Sequence, residues 1–147
     1  MKILVIGDSC TDVFVYGEIT RLTPEAPVPV FNPTIQKEND GMAQNVSNNV
    51  EALDSTVYTI TNKNDIRKIR YVDHKSNQLV LRVDEHDYCD RIDEVLLSTI
   101  QENKCHIAMA GKTEVDAIII SDYDKGFLHE DDIELALFTN ELNKNIK

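Results

Sequence analysis

Short continuous apolar runs, each stopped by an aspartate or a turn residue, alternate along this chain with amphipathic stretches of helical period. Ile3–Gly7 is β-branched and closed by Gly7-Asp8, the pattern of a strand buried on both faces. Thr11–Gly17 is also strand-like and leads into the proline-rich stretch Thr23–Val30. Pro27 and Pro29 fit an edge strand or an extended connection there, because proline donates no ladder hydrogen bond. Over Gly41–Leu53, Met42, Val46, Val50 and Leu53 recur at helical spacing, predicting a helix with one apolar face.

Thr56–Thr61 predicts a second short strand. Arg67–Val72 and Gln78–Asp84 flank the polar turn 73–77 and read as a β-hairpin. In its second arm Leu79, Leu81 and Val83 alternate with Val80, Arg82 and Asp84, so one face is apolar and the other offers an arginine and an aspartate. Asp90–Asn103 predicts an amphipathic helix on Ile92, Val95, Leu96 and Ile100, with Asp90 as N-cap. Val115–Ile120 is another buried strand, ended by Ser121-Asp122, and Glu130–Ile146 a last helix on Ile133, Leu137, Phe138 and Leu142. The order implies one α/β domain over 1–147, with a parallel sheet and an added β flap. Its core strands fall near 3–7, 56–61 and 115–120, and its flap segments near 11–38 and 67–85. Three strands make a thin sheet with open edges, which predicts a homodimer or a complex with another chain.

Composition narrows the partners. The 147 residues are 41% hydrophobic and 28% charged, ordinary for a folded domain. A net charge of -11 argues against nucleic acid and anionic membrane, while a phosphorylated small molecule needs only a few local cations. Cys10, Cys89 and Cys105 are odd in number and form no C-x-x-C pair, so neither a disulfide framework nor a zinc site is expected. A reducing cytoplasm is the expected setting, since the apolar start is too short for a signal segment or a span. Asp84-Glu-His-Asp87 is a poor metal site, because neighbours along a strand point in opposite directions. His74, His106 and His129 have no partner at motif spacing, so no metal ligand or catalytic residue is assigned.

Ligands of open α/β sheets bind beyond the carboxyl ends of the strands. Asp8 and Asp122 follow two predicted core strands, Asp12 lies four residues past Asp8, and Asn45 lies near the start of the helix after Gly41. Carboxylates and amides suit a polyol, and Gly41 permits close approach to the helix N-terminus. Spacing alone also allows Asp8 and Asp122 to be loop-start or N-cap residues with no other role.

Five segments carry a resemblance that goes further. They are Gly7-Asp-Ser-Cys-Thr-Asp12 with Tyr16-Gly17, Arg21-Leu-Thr-Pro-Glu-Ala-Pro-Val-Pro-Val30, Gly41-Met-Ala-Gln-Asn-Val-Ser-Asn-Asn49, Asn77-Gln-Leu-Val-Leu-Arg-Val-Asp84 and Ser121-Asp-Tyr-Asp-Lys-Gly126. In this order they resemble the heptose-7-phosphate kinase branch of the PfkB/ribokinase family, with Met42 where that pattern has a second glycine. The resemblance implies a truncated ribokinase-like (Rossmann-like) α/β fold with a β-clasp lid. It further implies that Asp12, Gly41 and Asn45 contact sugar hydroxyls, that Arg82 and Asp84 ride on a lid able to pair with a second subunit, and that Asp122 and Lys125 stand at the pocket rim. Lys125 is then a candidate for the phosphate of the substrate. Read without the resemblance, Arg82 and Asp84 are a surface ion pair and Lys125 a solvated loop lysine.

ATP and magnesium are implied by the family and not by any residue of this chain. The family's late G-A-G-D motif stabilises the transferring phosphoryl group, and none of Gly7, Gly17, Gly41, Gly111 and Gly126 forms a G-x-G loop. The chain also reads shorter than the family between Leu53 and Arg67. The resemblance therefore implies the sugar-phosphate-binding half of a carbohydrate kinase of lipopolysaccharide-precursor type, dependent on a second chain for turnover. A non-catalytic sugar-phosphate-binding or dimerisation module is the alternative.

Overall fold

The computed structural model describes residues 1–94, 96–97, 104–107 and 111–137. Its centre is a three-stranded parallel sheet formed by β1 (Lys2–Gly7), β4 (Thr56–Thr61) and β9 (Ala117–Ser121), in the order β4-β1-β9. Both faces of β1 are covered, which is why its sequence is an unbroken apolar run. Ile3 and Val5 meet Ala43, Val46 and Val50 of helix α1 (Ala43–Glu51) on one side. Leu4 and Ile6 meet Ile60, Ile66, Cys89, Ile92, Phe127 and Leu128 on the other. Burying one Ile or Leu side chain contributes roughly 1.5–3 kcal/mol, so these two clusters dominate the stability of the domain.

A second sheet grows directly out of the first. β2 (Ser9–Leu22) pairs antiparallel with β3 (Pro29–Met42) and parallel with β5 (Arg67–Asp73), which pairs antiparallel with β6 (Leu79–Glu85). The order β3-β2-β5-β6 leaves β3 and β6 at the edges. Pro29 opens β3, an edge strand, where its missing N–H costs no ladder bond. The expected hairpin 67–84 is present, and the flap is larger than expected because β2 and β3 each run 14 residues.

The joint between the sheets is Asp8, whose side chain is fully buried. Its carboxylate accepts the N–H groups of Tyr123 at 2.6 Å and Phe127 at 3.3 Å, and its carbonyl accepts the Ala43 N–H at 2.9 Å. The Cys89 thiol donates to the same carboxylate at 3.6 Å, and burial followed by that charge pushes Cys89 up to about 12. Asn62 reinforces the joint by accepting the Ser9 N–H at 2.6 Å and donating to the Ser9 carbonyl at 3.2 Å. Gly7 admits no side chain, since a Cβ there would lie 1.9 Å from the Ser121 carbonyl oxygen.

Several local expectations shift. Helix α1 ends at Glu51, so Leu53 is 77% exposed instead of continuing the apolar face. Residues 90–93 are not helical; the turn begins at Glu94, where Leu97 N–H bonds the Asp93 carbonyl at 3.0 Å, so Asp90 is not the N-cap. Residues 98–103 of that expected helix lie outside the described residues. A two-stranded hairpin of β7 (Lys104–Ile107) and β8 (Gly111–Glu114) has no counterpart in the sequence reading. The last helix, α2, is described over Glu130–Leu137, and its expected continuation lies outside the described residues. Buried Asp132 accepts Arg91 through both carboxylate oxygens at 2.6 and 2.8 Å and the His129 N–H at 3.0 Å. Arg91 first, then the His129 N–H, hold the Asp132 carboxyl below the usual carboxylate range.

Two outcomes are expected. Asp8→Ala should lower unfolding free energy by about 3 kcal/mol or more, because two buried N–H groups lose an ionised acceptor; a loss below about 1 kcal/mol in urea titration would show that the carboxylate does not hold the 121–127 loop. A carboxyl depressed on folding stabilises above its unfolded pKa and stops doing so as pH falls through its folded pKa. The wild type should therefore lose stability on the acid side, and Asp132→Asn should flatten that slope; identical acid profiles would rule the contribution out.

Candidate functional site

The two sheets bring a polar cleft together where β2, the end of β3 and the first turns of α1 converge. A cleft of about 740 Å³ is lined by residues that include Asp12, Asn39, Asp40, Asn45 and Asn48. Gly41 lies against it, since a Cβ at that position would come within 2.6 Å of Cys10 Sγ and 2.8 Å of Asp12 Oδ2. Three of the expected residues, Asp12, Gly41 and Asn45, are thus gathered at one place. The Asp12 carboxylate is oriented by Arg70, whose guanidinium donates to Oδ1 at 2.5 Å and lies 5.2 Å from the Phe14 ring. Asn48 donates to Asp40 at 2.9 Å and accepts from Gln44 at 3.2 Å, so an amide row along α1 borders the cleft.

Arg82 and Asp84 form a two-bond pair on exposed β6, at 2.6 and 2.7 Å. The pair runs along one strand, between residues two apart on the same face. The hydrogen bond from Arg82 is the leading reason that the Asp84 carboxyl sits below its ordinary range. Register places Lys68 opposite Asp12 on one side and Asp84 on the other, and Arg70 opposite Arg82. Lys125 bonds Asp87 at 2.7 Å, while Asp87 Oδ1 is buried with no hydrogen-bond partner among the described residues. Asp122 accepts the Asp124 N–H at 2.9 Å and opens onto a different cleft with His129, Glu130 and Asp131. Asp122 is therefore not gathered with Asp12 and Asn45.

Lys68 and Arg70 were not singled out by sequence reading. The signal was available in the hairpin itself: residues 68 and 70 share a face with Asp84 and Arg82 once the register is known.

Met42 holds the backbone conformation that a second glycine would suit. Its backbone has φ 56° and ψ −131°, a conformation that glycine adopts freely and a side chain does not. The side chain compensates by burial, only 6% exposed, in the cluster with Cys10 and Ile66.

No family model matches the chain. "Bifunctional protein HldE" of Helicobacter pylori (strain J99) is 32% identical over 92% of this chain, and the Helicobacter hepaticus protein of the same name is 33% identical over 88%. The fold is that of a putative phosphofructokinase from Staphylococcus aureus, at a TM-score of 0.60 over 95% of this chain and 49% of that one, with 13% identity. The chain thus resembles these HldE proteins over most of its length and shares the fold of ribokinase-like carbohydrate kinases. It spans about a third of the length of the curated relatives it matches. The match to the J99 protein runs over 162 positions, more than this chain contains, so the relative carries internal residues that this chain lacks.

The described residues do not fit the family's ATP and magnesium. Among them no three His, Cys, Asp or Glu side chains converge as metal ligands. Helix α2 opens on Glu130, Asp131 and Asp132, which repel a phosphate at its N-terminus. No helix among them is long and apolar enough to cross a membrane.

The strain at Met42 has a measurable sign. Met42→Gly and Met42→Ala both lose the buried side chain, but only glycine sheds the backbone cost, so the glycine variant should be the more stable by about 1 kcal/mol. That reverses the usual alanine–glycine order, and an alanine variant equal or superior in urea unfolding would disprove the strain.

Proposed function

We propose that this chain is the sugar-phosphate-binding part of a carbohydrate kinase of the heptose 7-phosphate type. The observation that carries the reading is the convergence of Asp12, Gly41 and Asn45 on one polar cleft, with Asp12 held by Arg70. An ionised carboxylate fixed by a guanidinium keeps a free oxygen for a sugar hydroxyl, and the Asn45 amide can both donate and accept. Arg82 and Asp84 ride on the four-stranded sheet, which acts as the lid over the bound sugar. Lys125 stands at the rim, and Asp122 shapes the loop that carries it. In this reading the chain binds the sugar phosphate and does not transfer phosphate by itself. The setting is a cytoplasmic step in lipopolysaccharide-precursor synthesis.

A second reading is a non-catalytic dimerisation module. Leu79 and Leu81, 57% and 54% exposed on edge strand β6, favour it, since an apolar edge strand invites a second copy.

Calorimetric titration with D-glycero-D-manno-heptose 7-phosphate and then with Mg-ATP separates these readings. The expected result is sugar-phosphate binding that Asp12→Ala weakens by roughly tenfold or more, the scale of one charged hydrogen bond, without ATP binding. Binding of neither ligand, with a dimer by light scattering, would replace the first reading by the second.

A further inference from the structure

The two sheets are joined by more than a chain crossing. β1 pairs parallel with β4 up to the rung Gly7–Thr61, and β2 pairs parallel with β5 from the rung Thr11–Arg67. β2 continues from β1 and β5 from β4, so one two-stranded ribbon runs through both sheets. Between those rungs residues 8–10 face residues 62–66, and hydrogen bonds close the gap. Asn62 accepts the Ser9 N–H at 2.6 Å and donates to the Ser9 carbonyl at 3.2 Å, in place of a missing rung. The same amide holds the Asn64 carbonyl at 2.7 Å, and the Thr11 N–H bonds the Ile66 carbonyl at 2.8 Å.

Packing locks the joint that these bonds align. Ile66 and Cys10 are both buried in the cluster that holds Leu4 and Ile6 of β1. Tilting the second sheet would draw these side chains out of the core and leave a cavity behind. Gly7 is no swivel, because its backbone lies too close to Ser121 to admit a Cβ. The other strands are tied at their bases as well. Ala43, next after β3, donates to the Asp8 carbonyl at 2.9 Å. Beyond β6, Cys89 and Ile92 donate to the Lys125 and Phe127 carbonyls at 2.8 and 2.9 Å. A moving cover needs a few residues free to absorb backbone rotation. Here each of the four bases is bonded or packed onto the core.

We propose that the four-stranded sheet is a fixed wall of the cleft, not a hinged lid, and that Asn62 is the positioning residue that fixes it. Asn62 acts through Ser9 on the direction of β2, and so on Asp12, three residues further along that strand. Asp12, Gly41 and Asn45 then keep their spacing before a ligand arrives, and binding carries no cost of closure. The inference goes beyond the sugar-phosphate reading and does not depend on it.

The test is residue-resolved amide hydrogen exchange on the whole chain, with and without heptose 7-phosphate. In the free wild type, Ser9 and Thr11 should have protection factors within about tenfold of those of Val5 and Ile6, because only global opening releases them. A larger gap would reveal a hinge and overturn the fixed wall. Asn62→Ala should lower Ser9 and Thr11 by about a hundredfold relative to Val5 and Ile6 of the same variant, a ratio that a uniform loss of stability does not move. Asn62→Asp, which keeps the acceptor for Ser9 and loses the donor, should fall between the two. An unchanged ratio in both variants would overturn the role of Asn62. Bound heptose 7-phosphate should leave the wild-type ratio as it is, and a ratio raised by binding would show closure and overturn the wall. Failure of the sugar phosphate to bind would overturn the reading of the cleft and leave the wall to be decided by the free protein.

Discussion

One buried carboxylate holds this molecule together. Asp8 lies at the carboxyl end of the central strand, where the chain leaves one sheet and enters another, and its side chain is out of water. An isolated charge in such a place would be costly; here it is compensated by backbone N–H groups from Tyr123 and Phe127. Those bonds tie residues 115 and 119 positions apart in sequence, so the loop after β9 is positioned by the residue after β1. The candidate site inherits its shape from that tie, because Tyr123 and Lys125 stand on the loop and Ala43 of α1 hangs from the Asp8 carbonyl.

The polar face of the second sheet follows a related logic at its surface. Arginines and aspartates alternate across β2, β5 and β6 and pair off within hydrogen-bonding distance. Such pairs contribute little to stability where they are exposed. Their consequence is geometric: they fix the direction of Asp12 and Asp84 and leave Lys68 outside the pairing. Met42 adds a second departure at the same corner, a strained backbone retained where glycine would be relaxed. The Met42 thioether lies 3.8 Å from the Lys68 ammonium, so the strained residue and the buried lysine meet at one corner of the molecule.

The parts of the fold legible in sequence are those governed by local period. The three core strands were read within two residues at each end, since burial on both faces leaves an apolar run with no competing pattern. The hairpin of β5 and β6 was equally legible from its alternation and polar turn. The length of β3 was not, because Asn32–Asp40 is polar and exposed and its strand character comes from pairing with β2. Leu53 failed for the complementary reason, as apolar spacing does not say where a helix stops.

For the site, the sequence by itself determined the residue types and their order: a carboxylate at 12, a glycine at 41, an amide at 45 and a lysine loop at 125, enough to carry the resemblance to carbohydrate kinases. Only the tertiary structure decided which of them meet. Asp12 and Asn45 share a cleft because β2 and α1 converge there, whereas Asp122 turns to another cleft through its own loop. Lys68 and Arg70 enter through strand register: the hairpin sets them opposite Asp84 and Arg82, but only the long-range pairing of β5 with β2 brings them to Asp12. Chemistry is written along the chain, but charge balance is settled across it, between residues that pairing alone makes neighbours.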